Sequence, residues 1–152
     1  PETQLVISHK ERMWFNIRMN ERERRMQLQG GQQVLHVQAP KYNSEWNSPQ
    51  DMYVWKGIRL IGAGGCNCLK GVFYYIEELC EASGSITLTS GTKLSLQQAS
   101  RCLRLSYAIT YASYQGLTLK GVLRLHTEGP FSWRHLYVGS SRATAADLLE
   151  IN

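Results

Sequence analysis

Short β-favouring runs separated by polar turns account for most of this chain, and two segments carry the spacing of helices. Thr3-Gln4-Leu5-Val6-Ile7 predicts a strand. Ser8-His9-Lys10-Glu11 follows with capping-box spacing: the Ser8 hydroxyl can accept from the Glu11 amide, and the Glu11 carboxylate can reach back. A charged helix from His9 to Arg25 is expected there. Met13, Ile17 and the ring of Trp14 form its apolar side. Arg12, Arg18, Arg22, Arg24 and Arg25 alternate with Glu11, Glu21 and Glu23 around the rim, the pattern of a solvated helix laced with ion pairs. Gln27 to Gln33, with Gly30-Gly31, reads as a loop. Val34 to Val37 reads as a strand in which His36 is a polar strand residue rather than a ligand.

From Ala39 to Gln50 the prolines, asparagines and serines make a loop, and the composition changes there. Met52 to Ile61 is β-favouring, with Gly57 as a turn or bulge. Gly71 to Glu77 and Ser85 to Thr89 are further strands, so that Met52 to Leu94 reads as a small β subdomain. Its aromatics Tyr53, Trp55, Phe73, Tyr74 and Tyr75 are assigned to a core ahead of base stacking.

Arg104 to Thr110 alternates, with Leu105, Tyr107 and Ile109 on one face and Arg104, Ser106, Ala108 and Thr110 on the other. That predicts one half-buried strand ending at Thr110. A turn and short helix through Gln115-Gly116 would sit at its carboxyl end, the edge where open α/β sheets bind ligands. Val122 to Leu125 is the next strand and Phe131 to Ala143 the next helix. Trp133, Leu136 and Tyr137 there are spaced i, i+3, i+4 as a buried face. Leu148 to Ile151 is a last strand. Strands alternating with helices imply a parallel sheet, hence an α/β fold.

A length of 152 residues suits one domain with a core, or one domain plus a small insert. The net charge of +5 favours a polyanionic partner, though only weakly. No apolar run is long enough to span a bilayer and no signal-peptide pattern opens the chain, so no membrane partner is expected and an intracellular setting is. Cys66, Cys68, Cys80 and Cys102 lack zinc spacing and read as reduced thiols. Gly62-Ala63-Gly64-Gly65 is not a phosphate loop. That loop needs Gly-Lys-Ser/Thr opening a helix, and here Gly65 runs into Cys66-Asn67-Cys68. The chain begins at Pro1, which suggests a fragment or a processed product.

Two segments carry a family resemblance. Ala108-Ile109-Thr110-Tyr111-Ala112-Ser113-Tyr114-Gln115-Gly116-Leu117-Thr118-Leu119 and Leu136-Tyr137-Val138-Gly139-Ser140-Ser141-Arg142-Ala143 resemble motifs V and VI of superfamily 1 helicases. Leu5 to Arg12, followed by Asn16, is similar to motif IV. Gly57-Ile58-Arg59-Leu60-Ile61 and Lys70-Gly71 match in outline the segment preceding the small barrel of RecD-like helicases. There are departures: Ala112-Ser113 stand where the family has His-Lys, Tyr114 replaces a small residue and Ser140 an apolar one. Some viral helicases also lack the His-Lys pair.

The resemblance implies a second RecA-like domain, residues 1–48 and 100–152, its parallel sheet flanked by helices, with 49–99 as an inserted small β subdomain, in an enzyme of RecD-like or viral type. Arg142 would be the arginine finger, stabilising charge on the transferring phosphoryl group. Gln115, Gly116 and Thr118 would border ATP, together with Arg142 and the motif IV cations Lys10 and Arg12; His9, Lys10 and Arg12 stay open alternatives for the motif IV role. Thr110, Ser8, His9 and Ser113 would grip single-stranded nucleic acid, DNA favoured over RNA. ATP and Mg2+ would be bound mainly by an N-terminal RecA-like ATPase domain of the same polypeptide, so this chain alone would not hydrolyse ATP. The nucleus or a viral replication site is the implied setting. The competing expectation is a non-catalytic nucleic-acid-binding or protein-interaction module on the same scaffold; a Gly-Lys-Ser/Thr loop upstream would decide for the helicase.

Overall fold

The computed structural model describes residues 2–41, 48–114, 121–141 and 148–152. In chain order the elements are β1 (Thr3–Val6), α1 (His9–Gln29), β2 (Leu35–Val37), β3 (Met52–Val54), β4 (Arg59–Gly62), β5 (Phe73–Cys80), β6 (Ser85–Leu88), β7 (Lys93–Ser95), α2 (Leu96–Cys102), β8 (Leu103–Leu105), β9 (Ala108–Thr110), a 3-10 turn (Ala112–Tyr114), β10 (Leu123–Leu125), α3 (Trp133–Ser140) and β11 (Leu149–Ile151). They fall into two compact units, Pro1–Asn16 with Ser106–Asn152, and Ile17–Leu105.

The first unit is built on a four-stranded sheet in the order β11-β10-β1-β9. All three pairings are parallel, with Leu5 opposite Ile109 on one side and Leu125 on the other. Strands buried on both faces read as continuous rather than alternating burial. β1 and β9 are buried at every position. Helix α3 meets the sheet at Gly139, where an added Cβ would stand 2.7 Å from Leu125 Cδ2 and 3.3 Å from Tyr111 Cε1. This corrects the expected buried face: Trp133 and Tyr137 are 84% and 74% exposed. The helix approaches through its smallest residue; Trp133 and Tyr137 point away, while His135 packs on Tyr111 and Leu136 is half-buried.

Helix α1 opens with the expected capping box, Glu11 N donating to Ser8 Oγ at 3.2 Å and Ser8 N to Glu11 Oε2 at 3.0 Å. It runs past Arg25 to Gln29. Gly31 then ends it in a left-handed conformation (φ +76°), its amide donating to Leu28 O and the Gln32 amide to Gln27 O. The inward residues also differ from expectation. Trp14 and Ile17 are half exposed, whereas Arg12, Asn16 and Asn20 are buried. The reason is hydrogen bonding: each asparagine amide satisfies backbone groups of one strand residue, Asn16 those of Ala108 and Asn20 those of Tyr53.

The second unit contains a five-stranded antiparallel sheet in the order β7-β6-β5-β4-β8, and the antiparallel hairpin β2-β3. Its core includes Met52, Leu60, Ile76, Ile86, Leu88 and Leu103, with the rings of Trp55 and Tyr74; Tyr75 stays exposed. The single strand expected over 104–110 is two. Leu105 ends β8, paired with Leu60, and Ala108 begins β9, paired with Gln4. The chain leaves the antiparallel sheet for the parallel one at Ser106-Tyr107, so alternation across this stretch carries no single-strand meaning. Helix α2 was not anticipated, although Ser95 and Gln98 form a reciprocal capping box that the sequence spells. His36 is an exposed strand residue, 3.7 Å from Asp51 and stacked on Tyr53.

Candidate functional site

Parallel strands present their following turns at one edge. β1 is followed by Ser8, His9 and Lys10, and its neighbour β9 by Tyr111, Ala112 and Ser113. Val6 lies opposite Thr110, and the Tyr111 amide donates to the Val6 carbonyl at 3.1 Å, which sets the two turns side by side. β10 adds His126 and Thr127 on the other flank of β1, with the His126 amide donating to Leu5 O. This is the carboxyl edge, where open α/β sheets place ligands.

The hydroxyls are already organised. Thr110 is 2% exposed, and its O–H donates to Ser113 Oγ at 2.9 Å while Oγ1 accepts from the Ser113 amide. Ser113, half-buried, is the outward member of the pair. Ser8 is exposed and serves as the helix cap. His9 Nδ1 accepts from Arg12 Nε at 3.2 Å. Burial, and then the Arg12 charge, hold the His9 imidazole below its ordinary pKa. Arg12 is buried, which corrects its assignment to a solvated rim. Lys10 is the exposed cation of the turn.

Residues that sequence reasoning missed cluster around His126. Its Nε2 lies 2.6 Å from Gln4 Oε1, and Gln4 Nε2 donates to Glu2 Oε1. Since the Gln4 amide nitrogen is committed to Glu2, Gln4 Oε1 is the acceptor and His126 Nε2 carries the proton. The His126 ring packs on Phe15 at 4.8 Å. Burial lowers its pKa. Tyr111, with burial raising its phenol to about 12, packs against Phe131 and His135, and His135 Nδ1 accepts from the Ser132 amide. His126 was findable: it is the first residue past the predicted strand 122–125, at the edge already singled out.

Arg142, Gln115, Gly116 and Thr118 lie outside the described residues. Among the described residues, no cluster of three His, Cys, Asp or Glu side chains is disposed to hold a metal ion, and no helix is long and apolar enough to cross a membrane.

The parallel sheet, its flanking helices and its antiparallel companion define an α/β fold of RecA-like type. Pif1 helicases are among the solved structures that share it. Bacteroides Pif1 bound to ssDNA matches with a TM-score of 0.65 at 14% identity, over 99% of this chain and 40% of that one. The same enzyme with ADP-AlF3 and ssDNA gives 0.61 at 14% identity, over 99% and 40%. Candida albicans Pif1 gives 0.60 at 14%, over 99% and 44%. The chain thus spans about two fifths of the length of these structures. At such identity the likeness is one of fold. No protein-family model and no curated protein sequence matches the chain.

Proposed function

We propose that this chain is the C-terminal motor domain of an ATP-dependent superfamily 1 helicase, of RecD-like type, acting on single-stranded DNA. The observation that carries the reading is the pairing of the turns after β1 and β9 at the carboxyl edge of a sheet whose fold is that of Pif1. Bacteroides Pif1 has been captured with ssDNA, and with ADP-AlF3 and ssDNA together. Residues 1–48 with 100–152 form the motor domain in this proposal, and 49–99 its inserted β subdomain.

Thr110 acts through Ser113. Thr110 donates its proton to Ser113 Oγ, so the Ser113 hydroxyl proton is left to point outward at a backbone phosphate of the strand. Ser8 and the neutral His9 line the adjacent turn. Lys10, exposed beside them, is the described cation placed to meet phosphate; Arg12, turned inward, supports His9. Arg142 is the finger, with Gln115, Gly116 and Thr118 bordering ATP. The described edge offers hydroxyls and an ammonium, a donor set suited to phosphate oxygens, so Mg2+ falls to the N-terminal ATPase domain. ATP binding and hydrolysis there close and open the cleft between domains, which moves the strand.

The test is Arg142→Ala in the polypeptide that carries the phosphate loop. Strand-stimulated hydrolysis should fall about a thousandfold while nucleotide binding persists. Hydrolysis that survives the substitution, or a parent polypeptide without ATPase activity, would transfer the assignment to a non-catalytic binding module.

A further inference from the structure

Three thiols converge in the second unit: Cys66 and Cys68 on the connection between β4 and β5, and Cys102 at the end of α2. Gly65 to Cys68 form a tight turn closed by the Cys68 amide donating to the Gly65 carbonyl at 2.8 Å. Its central residues, Cys66 and Asn67, have φ of +49° and +60°. This left-handed pair is the type I′ arrangement, which suits Asn and Gly and disfavours cysteine. What the turn achieves is a position. It sets the exposed Cys66 beside the buried Cys102, near enough for the two thiols to influence each other's charge. The loop is bonded to Cys102 through one backbone hydrogen bond and lies close to its sulfur at Gly65. The Ala63 amide donates to the Cys102 carbonyl at 2.7 Å, and a Cβ on Gly65 would lie 3.4 Å from Cys102 Sγ.

We infer that Cys66 and Cys102 are an oxidisable dithiol, a modification site at which hydroperoxides form an intrachain disulfide. The exposed Cys66 sulfur attacks a peroxide oxygen. The S–O bond forms, the O–O bond breaks, and the departing alkoxide or hydroxide takes up the Cys66 proton as alcohol or water. The Cys102 sulfur then attacks the Cys66 sulfur of the sulfenic acid. The S–S bond forms, the S–O bond breaks, and hydroxide leaves as water with the Cys102 proton. Two thiols lose two electrons and two protons, and one peroxide is reduced. Burial pushes the Cys102 thiol up to about 12, which makes it the second sulfur to react, while the Arg104 charge beside it works against that rise. Cys80 provides an internal comparison: it is exposed, and its hydrogen bond with Ser83 lowers its pKa. This inference stands apart from the helicase reading.

The experiment is titration of the whole chain with hydrogen peroxide, alkylation of remaining thiols, and peptide mapping by mass spectrometry without reductant. The expected product joins the Cys66 and Cys102 peptides and is reversed by dithiothreitol, and its unfolding midpoint lies above that of the reduced chain. Cys102→Ser should leave a sulfenic acid on Cys66 that dimedone traps, and Cys66→Ser should abolish the cross-link. Cross-links running through Cys68 or Cys80 instead, or Cys66 and Cys102 both recovered as thiols after Cys80 has been oxidised, would overturn it. Should Cys102→Ser fail to fold, Cys66→Ser, at an exposed position, decides the matter.

Discussion

Asn16 pairs with Ala108 as a neighbouring strand would: Asn16 Nδ2 donates to the Ala108 carbonyl at 3.0 Å, and the Ala108 amide donates to Asn16 Oδ1 at 2.8 Å. Among the described residues β9 is the edge strand of its sheet, and the side chain stands on its outer side, where a further strand would pair. Asn16 is fully buried, so water cannot replace it. Asn16→Ala should therefore leave both Ala108 groups unpaired and cost about 3 kcal/mol. Urea unfolding would measure this, and Asn16→Leu should not restore stability, because the lost term is polar.

Gly139→Ala adds one methyl where Leu125 Cδ2 stands 2.7 Å away. Leu125 is wholly buried and has little room to yield. A loss of about 1–3 kcal/mol is expected, visible as a lower thermal midpoint. A shift within error would mean that α3 moves outward freely.

The pH dependence has a definite sign. Burial lowers the folded pKa of His126 from its ordinary 6.5, so folding favours the neutral ring. Its contribution is complete above pH 6.5 and is lost as pH falls through the lower folded value. The groups facing it act on both sides: Glu11, Glu128 and Glu2 raise the value, and Arg124 lowers it. His9 is shifted the same way. Denaturation midpoints taken downward from pH 6.5 should decline, and His126→Gln should flatten that decline in part, leaving the share due to His9.

Ser113→Ala should weaken binding of a labelled oligothymidylate about tenfold, the loss of one hydrogen bond to a charged phosphate. Thr110→Val should weaken it less and raise its sensitivity to salt, since Ser113 keeps its hydroxyl but loses its partner. Anisotropy titrations at two ionic strengths would separate the two. Equal, negligible effects would detach both residues from the strand.

Local rules read this chain well where one element obeys one rule. The capping box at Ser8-Glu11 and the strand-helix alternation of the last third follow from nearest-neighbour chemistry, whereas the helix end expected at Arg25 comes four residues later, at Gln29 before the glycines. The failures lie where distant partners decide. Nothing near Asn16 or Asn20 announces that their amides pair with backbone at Ala108 and Tyr53, so the sequence points to Met13, Trp14 and Ile17 as the inner side instead. Trp133, Leu136 and Tyr137 have the spacing of a core face, but Trp133 and Tyr137 are exposed and the close approach to Leu125 is made at Gly139. At the edge of the sheet, the position of Thr110 and Ser113 was legible; the proton chain between them, and the burial of Arg12, were not.

The placement of β1 sets an order of assembly. It is the first strand of its sheet in chain order, yet it lies inside that sheet, hydrogen-bonded to β9 on one side and β10 on the other. Both partners are synthesised in the last third of the chain. The stretch Ile17–Leu105 is contiguous and holds every strand of its own sheets, so it can complete its pairing while β1 waits. Pairings so distant in sequence form slowly, and a waiting strand with two bare edges is open to association with other chains. A polypeptide cut short before Leu125 would retain the antiparallel unit and expose β1 to that hazard permanently.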